Sequence, residues 1–468
     1  MLGDGPDPAY FEDGMGRIHP TDKANQDGST IAPANQSTQV FFTQHRTNSF
    51  GSVAVQRRRE HAVTVGKERR EALMRTKRLC RVGVSSDENA DVPVDDDMMD
   101  EEQSVLEDQT LKAVEELKHA IGYQGKGAMQ KRVNALRELR RLLSKSEYPP
   151  VEAALEAGAM PTLVQCLSFG SPDEQSSLPV AEQCAWALGN VAGEGQELRN
   201  VLLSQGALQP LARMMLPNKG STVRTAAWAL SNLIKGPDPK AATELIRIDG
   251  VPDAILRHMK KGDEELTTEV AWVVVYLTAL SNVATSMLAK TDLLQILVDR
   301  LASSNSLQLL IPESAWVLSN IAAGSVEHKK LIHSSEAVLL LIRLLSTAPF
   351  DIRKEVAYVL GNLCVAPSEG SGRPNLIVEH LVSLVGRGCL GGFVDLVRSA
   401  DVEAARLGLQ FLELVLRGMP NGEGPKLVET EDGIDAMERF QFHENEDLRN
   451  MANELVDKYF GEDYGIDS

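Results

Sequence analysis

One phrase recurs at a nearly fixed spacing and limits what this chain can fold into. It reads "QCAWALGN" at 183–190, "TAAWALSN" at 225–232, "ESAWVLSN" at 313–320 and "EVAYVLGN" at 355–362, with the related "EVAWVVVY" at 269–276. The steps are 42 residues from Trp186 to Trp228, 44 to Trp272, 44 to Trp316 and 42 to Tyr358. A self-similarity of that length marks stacked units of two or three helices, in which each unit buries its apolar face against its neighbours. A second shared helix supports the period: "GALQPLARMM" at 206–215, "GVPDAILRHM" at 250–259 and "EAVLLLIRLL" at 336–345.

The period is that of armadillo and HEAT repeats. Residues 109–463 are therefore expected to form an all-α solenoid of such repeats. Only 5 % of residues are aromatic, while Leu, Ala and Val carry most of the apolar content, as many packed helices require. Residues 1–50 read as a disordered tail and 464–468 as a short C-terminal tail. Between the tail and the solenoid the charge reverses. Residues 51–84 hold Arg57, Arg58, Arg59, Lys67, Arg69, Arg70, Arg75, Lys77, Arg78 and Arg81 and are compatible with a basic helix. Residues 85–108, "SSDENADVPVDDDMMDEEQSVLED", read as an acidic flexible linker.

The formal net charge of −18 argues against a general nucleic-acid coat and favours basic partners. The five cysteines are scattered without metal-ligand spacing, which fits reduced thiols of the cytosol or nucleus. Neither a signal peptide nor an apolar run long enough for a bilayer is present in this sequence, so membrane insertion is not expected. No Walker loop, GxSxG, HExxH or Cys/His metal set occurs, and no catalytic residue, metal or cofactor is expected.

Within the repeated phrase the aromatic and the Asn are four residues apart and share one helix face. Leu188, Leu230, Leu318 and Leu360 lie opposite, where they can pack inward. The small residue before each Asn (Gly189, Ser231, Ser319, Gly361) is expected to leave the face open to an approaching chain. Asn bonds a peptide backbone through both amide atoms, and an indole face accepts a lysine stem and its ammonium. Glu194, Glu313 and Glu355 stand where they could pair with such a cation. The residues point to a linear basic peptide.

The basic segment, the acidic linker and armadillo units carrying W-x-x-x-N together resemble the importin α family, over about residues 56–463. The resemblance implies a nuclear-import adaptor that shuttles between cytoplasm and nucleus through the pore. Trp186, Asn190, Glu194, Trp228, Asn232, Trp272 and Tyr276 would form the major site for nuclear localisation signals. Glu194 replaces a common Asp there. Glu313, Trp316, Asn320, Glu355, Tyr358 and Asn362 would form the minor site, where Tyr358 replaces Trp and offers a smaller shelf.

The ten basic residues of 51–84 would dock in importin β. Their last cluster, Lys77 and Arg78, is interrupted by Leu79 and Cys80, which weakens the fold-back onto the groove seen in the family. Residues 442–463, "FHENEDLRNMANELVDKYFGED", resemble the last repeat, which the export factor engages. The resemblance implies a right-handed superhelical armadillo solenoid over 109–463, with about eight repeats here where the family has ten units. Here the first runs into the last helix of the third at 168–186, and the fifth into the last helix of the seventh at 305–316. Loss of the second and sixth units is expected to weaken binding of single basic clusters and alter the linker that two-part signals require.

Other readings stay open from the residues alone. The groove could serve an armadillo scaffold without import activity, or a shortened isoform with impaired cargo binding. The basic segment could equally be a localisation tract or an RNA-binding arm.

Overall fold

A computed structural model describes residues 96–143, 149–168, 178–217, 220–236, 238–261, 263–302, 311–366 and 375–461. The tail, the basic segment and the C-terminal tail assigned from sequence lie outside these residues. Among those described, every regular element is a helix, and no single helix is long and apolar enough to cross a membrane.

The chain divides into two compact units at Ala284. The first contains α1 (Asp96–Gly122), α2 (Ala128–Leu142), α3 (Val151–Glu156), α4 (Ala159–Ser168), α5 (Leu178–Glu194) and α6 (Gln196–Ser204). It continues through α7 (Leu208–Met214), α8 (Ser221–Ile234), α9 (Lys240–Arg247), α10 (Val251–Lys261) and α11 (Glu264–Leu280). The division falls within α12 (Asn282–Leu288). The second unit contains α13 (Leu293–Ala302), α14 (Ile311–Ala322), α15 (Val326–His333), α16 (Ala337–Thr347), α17 (Phe350–Leu363) and α18 (Asn375–Gly386). It ends with α19 (Leu390–Val397), α20 (Val402–Gly418), α21 (Gly424–Thr430), α22 (Gly433–Glu438) and α23 (Glu446–Phe460).

The order repeats as two shorter helices and a longer third. The third helices are α5, α8, α11, α14, α17, α20 and α23, and α1 and α2 open the series. A recurring glycine makes the break between the first two helices. Gly158, Gly206, Gly250 and Gly388 adopt φ of 73°, 80°, 80° and 86° at the α3/α4, α6/α7, α9/α10 and α18/α19 junctions. That left-handed conformation ends a helix without the steric cost a side chain would add.

The structure corrects the linker boundary. Residues 96–108, expected to be flexible, form the first turns of α1. Their composition explains it: Met, Glu, Gln and Leu are good helix formers, and the leading Asp and Glu residues complement the positive helix N-terminus. Further on, Leu106, Ala113, Val114 and Leu117 give α1 a buried stripe.

In the first unit α5 lies between α2 and α8, and α8 packs against α11; in the second unit α14 packs against α17. Leu188, Leu230, Leu318 and Leu360 are buried as their inward positions require. The C-terminal carbonyls of these third helices receive cationic side chains. Arg199 donates to the Ala192 carbonyl at 3.1 Å. Lys329, fully buried, donates to the carbonyls of Ala322 and Asn362. A buried ammonium is tolerated only with such acceptors, and here it meets the negative ends of α14 and α17.

The neighbouring third helices α5 and α8 approach closely at Gly189. A Cβ there would overlap the Trp228 ring. Gly189→Ala should therefore destabilise the first unit by about 1–3 kcal/mol, as overpacking does, read as a lower midpoint in urea unfolding.

In the second unit His333 and His380 stack with ring centroids 4.1 Å apart. Burial, the neighbouring His380 and Arg387 push His333 down to about 4, and burial likewise lowers His380. The unfolded chain takes up protons near pH 6.5 while the folded pair resists them, so stability rises with pH across this window. The second unit should lose stability between about pH 6.5 and 4, and His333→Leu should flatten that dependence in melts taken across the range.

Candidate functional site

The repeated phrase places its chemistry on the third helices. In the first unit Trp186, Asn190 and Glu194 lie on α5, Trp228 and Asn232 on α8, and Trp272 and Tyr276 on α11. In the second unit Glu313, Trp316 and Asn320 lie on α14, and Glu355, Tyr358 and Asn362 on α17. Side-by-side packing of these helices within each unit turns a sequence period into rungs. The ten basic residues expected to meet importin β lie outside the described residues.

The rungs are closed more tightly than the small residues in the phrase suggest. Trp186, Trp228, Trp272 and Trp316 are only 5, 2, 5 and 1 % exposed. Asn190, Asn232, Asn320 and Asn362 are buried as well. The expected opening beside Gly189 is filled by the Trp228 ring, so this glycine serves helix approach. Beside Gly361, by contrast, no atom of the described residues lies where a Cβ would meet it.

The Asn side chains tie successive rungs together. Asn232 Nδ2 donates to the Gly189 carbonyl at 3.1 Å. Asn362 Nδ2 repeats the bond to the Ser319 carbonyl at 3.1 Å and also reaches the Ser319 hydroxyl at 3.2 Å. The carbonyl used is each time that of the small residue one rung back. Asn232 Oδ1 and the indole Nε1 of Trp228 are buried without a hydrogen-bond partner among the described residues. Unsatisfied buried polar atoms are rare enough to require an explanation.

Two aromatics have distinct surroundings. Tyr276 takes the amide position on α11, with its ring 6.0 Å from that of Trp272. Tyr358 donates its hydroxyl to Glu403 Oε1 on α20 at 2.6 Å. Lys354 donates to Asp401 and Glu403 in the same cluster, at 3.0 and 3.2 Å. Burial opposes the charge of Lys354, but those two carboxylates outweigh it and raise its pKa. The carboxylate side of this rung thus already holds an internal cation.

In the first unit, the Arg140 guanidinium of α2 lies over the Trp186 ring, 4.2 Å from its centroid. Nearby on α5, burial raises the pKa of Glu182 against the pull of a Ser221 hydrogen bond and of Arg224, Arg140 and Arg137. Arg224 also pairs with the exposed Glu265.

Sequence reasoning singled out Glu313 and Glu355, each three residues before an aromatic, but missed their counterparts. Gln183, Thr225 and Glu269 stand at the same offset before Trp186, Trp228 and Trp272. Gln183 and Thr225 are buried on the rung face, with Gln183 Oε1 lacking a partner among the described residues. The repeated offset was the signal that could have found them. Among the described residues no His/Cys/Asp/Glu group could hold a metal ion.

The comparisons agree with this architecture. The armadillo/beta-catenin-like repeat family matches residues 148–193 and 195–235. A solved structure of an engineered protein superposes with TM-score 0.62 at 23 % identity, covering 74 % of this chain and 77 % of its own, which supports the fold alone. The fold is all-α and of armadillo-repeat class. Importin subunit alpha-9 of Arabidopsis thaliana is 63 % identical over 503 aligned positions, covering 90 % of this chain and 97 % of that protein. Importin subunit alpha-2 of Oryza sativa subsp. japonica is 52 % identical, covering 94 % and 99 %. Since 503 aligned positions draw on 90 % of 468 residues, about 421, roughly 80 positions of the Arabidopsis protein have no counterpart here. That deficit is close to two of the 42-residue steps. On its repeat units, its rungs and these alignments, the chain belongs to the importin α family, nuclear-import adaptors rather than enzymes.

Proposed function

We propose that the chain is an import adaptor that binds Lys/Arg-rich nuclear localisation signals on its rungs and joins the cargo to importin β through residues 51–84. The observation that carries the reading is the alignment of aromatic and amide side chains on neighbouring third helices, in a member of this family. Trp186, Trp228 and Trp272, with Asn190, Asn232, Tyr276 and Glu194, are assigned to the major site. Trp316 and Tyr358, with Asn320, Asn362, Glu313 and Glu355, are assigned to the minor site.

An extended basic peptide suits this chemistry. Its backbone offers both a donor and an acceptor for groups such as Trp228 Nε1 and Asn232 Oδ1. Its lysine stems pack on indole faces, with cation–π attraction on the order of 0.5–2 kcal/mol per contact. The rings are packed away, so entry requires them to swing outward, and that cost reduces the apparent affinity. The polar residue at the minus-three offset adds a partner for the peptide at each rung. The overall charge of −18 steers basic cargo towards the protein, more weakly as salt rises.

The same reading assigns Arg57, Arg58, Arg59, Lys67, Arg69, Arg70, Arg75, Lys77, Arg78 and Arg81 to importin β, and residues 442–463 to the export factor. It implies shuttling between cytoplasm and nucleus.

Fluorescence anisotropy with single-cluster and two-part basic peptides tests the groove. Trp228→Ala should weaken binding of a single-cluster peptide about tenfold, the loss of one good contact, and Trp316→Ala should weaken a two-part peptide. Unchanged affinity in both variants, or preference for non-basic peptides, would sink the groove assignment and favour a scaffold. A pull-down of importin β by the full chain should fail when Arg57, Arg58 and Arg59 are all changed to Glu.

A further inference from the structure

The Trp186 rung differs from the others because a cation of this chain already covers it. Arg140 belongs to α2, which packs directly against α5, and its guanidinium lies 4.2 Å from the Trp186 ring centroid. That is the position and the chemistry an incoming lysine or arginine would need. The neighbourhood adds to the effect. Arg137 and Arg224 stand close enough to Glu182 for their charges to act on it, together with Arg140. A second cation brought to this ring would displace Arg140 or lie against its guanidinium.

The shortened chain gives this arrangement its setting. The segment 168–186 runs from the first repeat into a later rung helix, and about 80 positions of the Arabidopsis relative have no counterpart here. With α2 as the direct neighbour of α5, an arginine meets the ring where a further peptide-binding rung could stand.

We propose that Arg140 is a specificity-determining residue, an internal occupant of the Trp186 shelf that excludes a cargo cation from this rung. Basic side chains of a signal then engage from Trp228 onward, and the residue over Trp186 is neutral or acidic. This rests on the peptide-groove reading above and sharpens it: the preferred signal has a shorter basic run in the first unit than its aromatic count suggests.

The test uses the full chain and a fluorescein-labelled lysine-rich peptide. Arg140→Ala should strengthen binding about three- to tenfold, as expected when a ligand cation takes over one cation–π interaction. Arg140→Glu should strengthen it further by adding a carboxylate at the ring. The improvement from Arg140→Ala should vanish when Trp186 is also changed to Ala. Arg140→Gln, which keeps most of the stem, guards against a folding defect in the smaller variant, and thermal melts verify each protein. A peptide series with Glu moved stepwise along the basic run should contain one position where Glu is tolerated by the parent protein but disfavoured by Arg140→Glu. Binding that depends on Trp228 but is not strengthened by Arg140→Ala, Arg140→Glu or Arg140→Gln overturns this inference alone. Absence of peptide binding in every protein overturns the groove reading and this inference with it.

Discussion

The close approach of one rung helix to the next governs everything else at the site. It rests on a ring, a glycine and an amide: Trp228 lies where a Cβ of Gly189 would be, and Asn232 donates to the Gly189 carbonyl. The glycine lets α8 come near enough for the amide to bond a carbonyl that α5 also uses internally. The ring then covers that bond from water, where it is stronger. Asn362 forms the same bond to Ser319 on α17 and α14, so the device is a property of the repeat. The residues best suited to hold a peptide are thus also those that hold the rungs together. Recognition and packing compete for the same amide and the same indole.

Charge is handled by a parallel rule at the helix ends. Arg199 and Lys329 leave the short helices and cap the carbonyls of rung helices. Each places its charge at the negative end of a helix. On the rung helices themselves two carboxylates, Glu194 and Glu355, are buried. Glu403, which accepts from the Tyr358 hydroxyl, is met by Lys354 as well.

Much of the architecture was legible because two periods coincide. The 42- to 44-residue step fixed which helices repeat, and the four-residue offset within the phrase fixed a face on each. Every described aromatic and Asn named from that pattern lies on a third helix. What the pattern does not contain is the identity of the neighbour. Gly189 was read as an opening because its own helix leaves space there, yet the Trp228 ring that fills it comes from 39 residues later in the chain. Arg140 was invisible for the same reason: nothing in α2 says which ring it will meet once the helices pack. Composition misjudged 96–108 differently. A run of acidic residues suggests a solvated linker, but placed at a helix start the same charges favour the helix.

Gly189 and Gly361 occupy the same place in the same phrase, and from sequence they would be ranked alike. The first is filled by the ring of the following rung, while the second precedes α20, whose corresponding stretch "EAAR" at 403–406 carries Arg406 where "TAAW" carries Trp228. Substitution tolerance is therefore set one repeat away. A glycine stays fixed while its downstream neighbour keeps its ring, and becomes free to vary when that ring is lost, so drift in one repeat releases or constrains drift in the repeat before it.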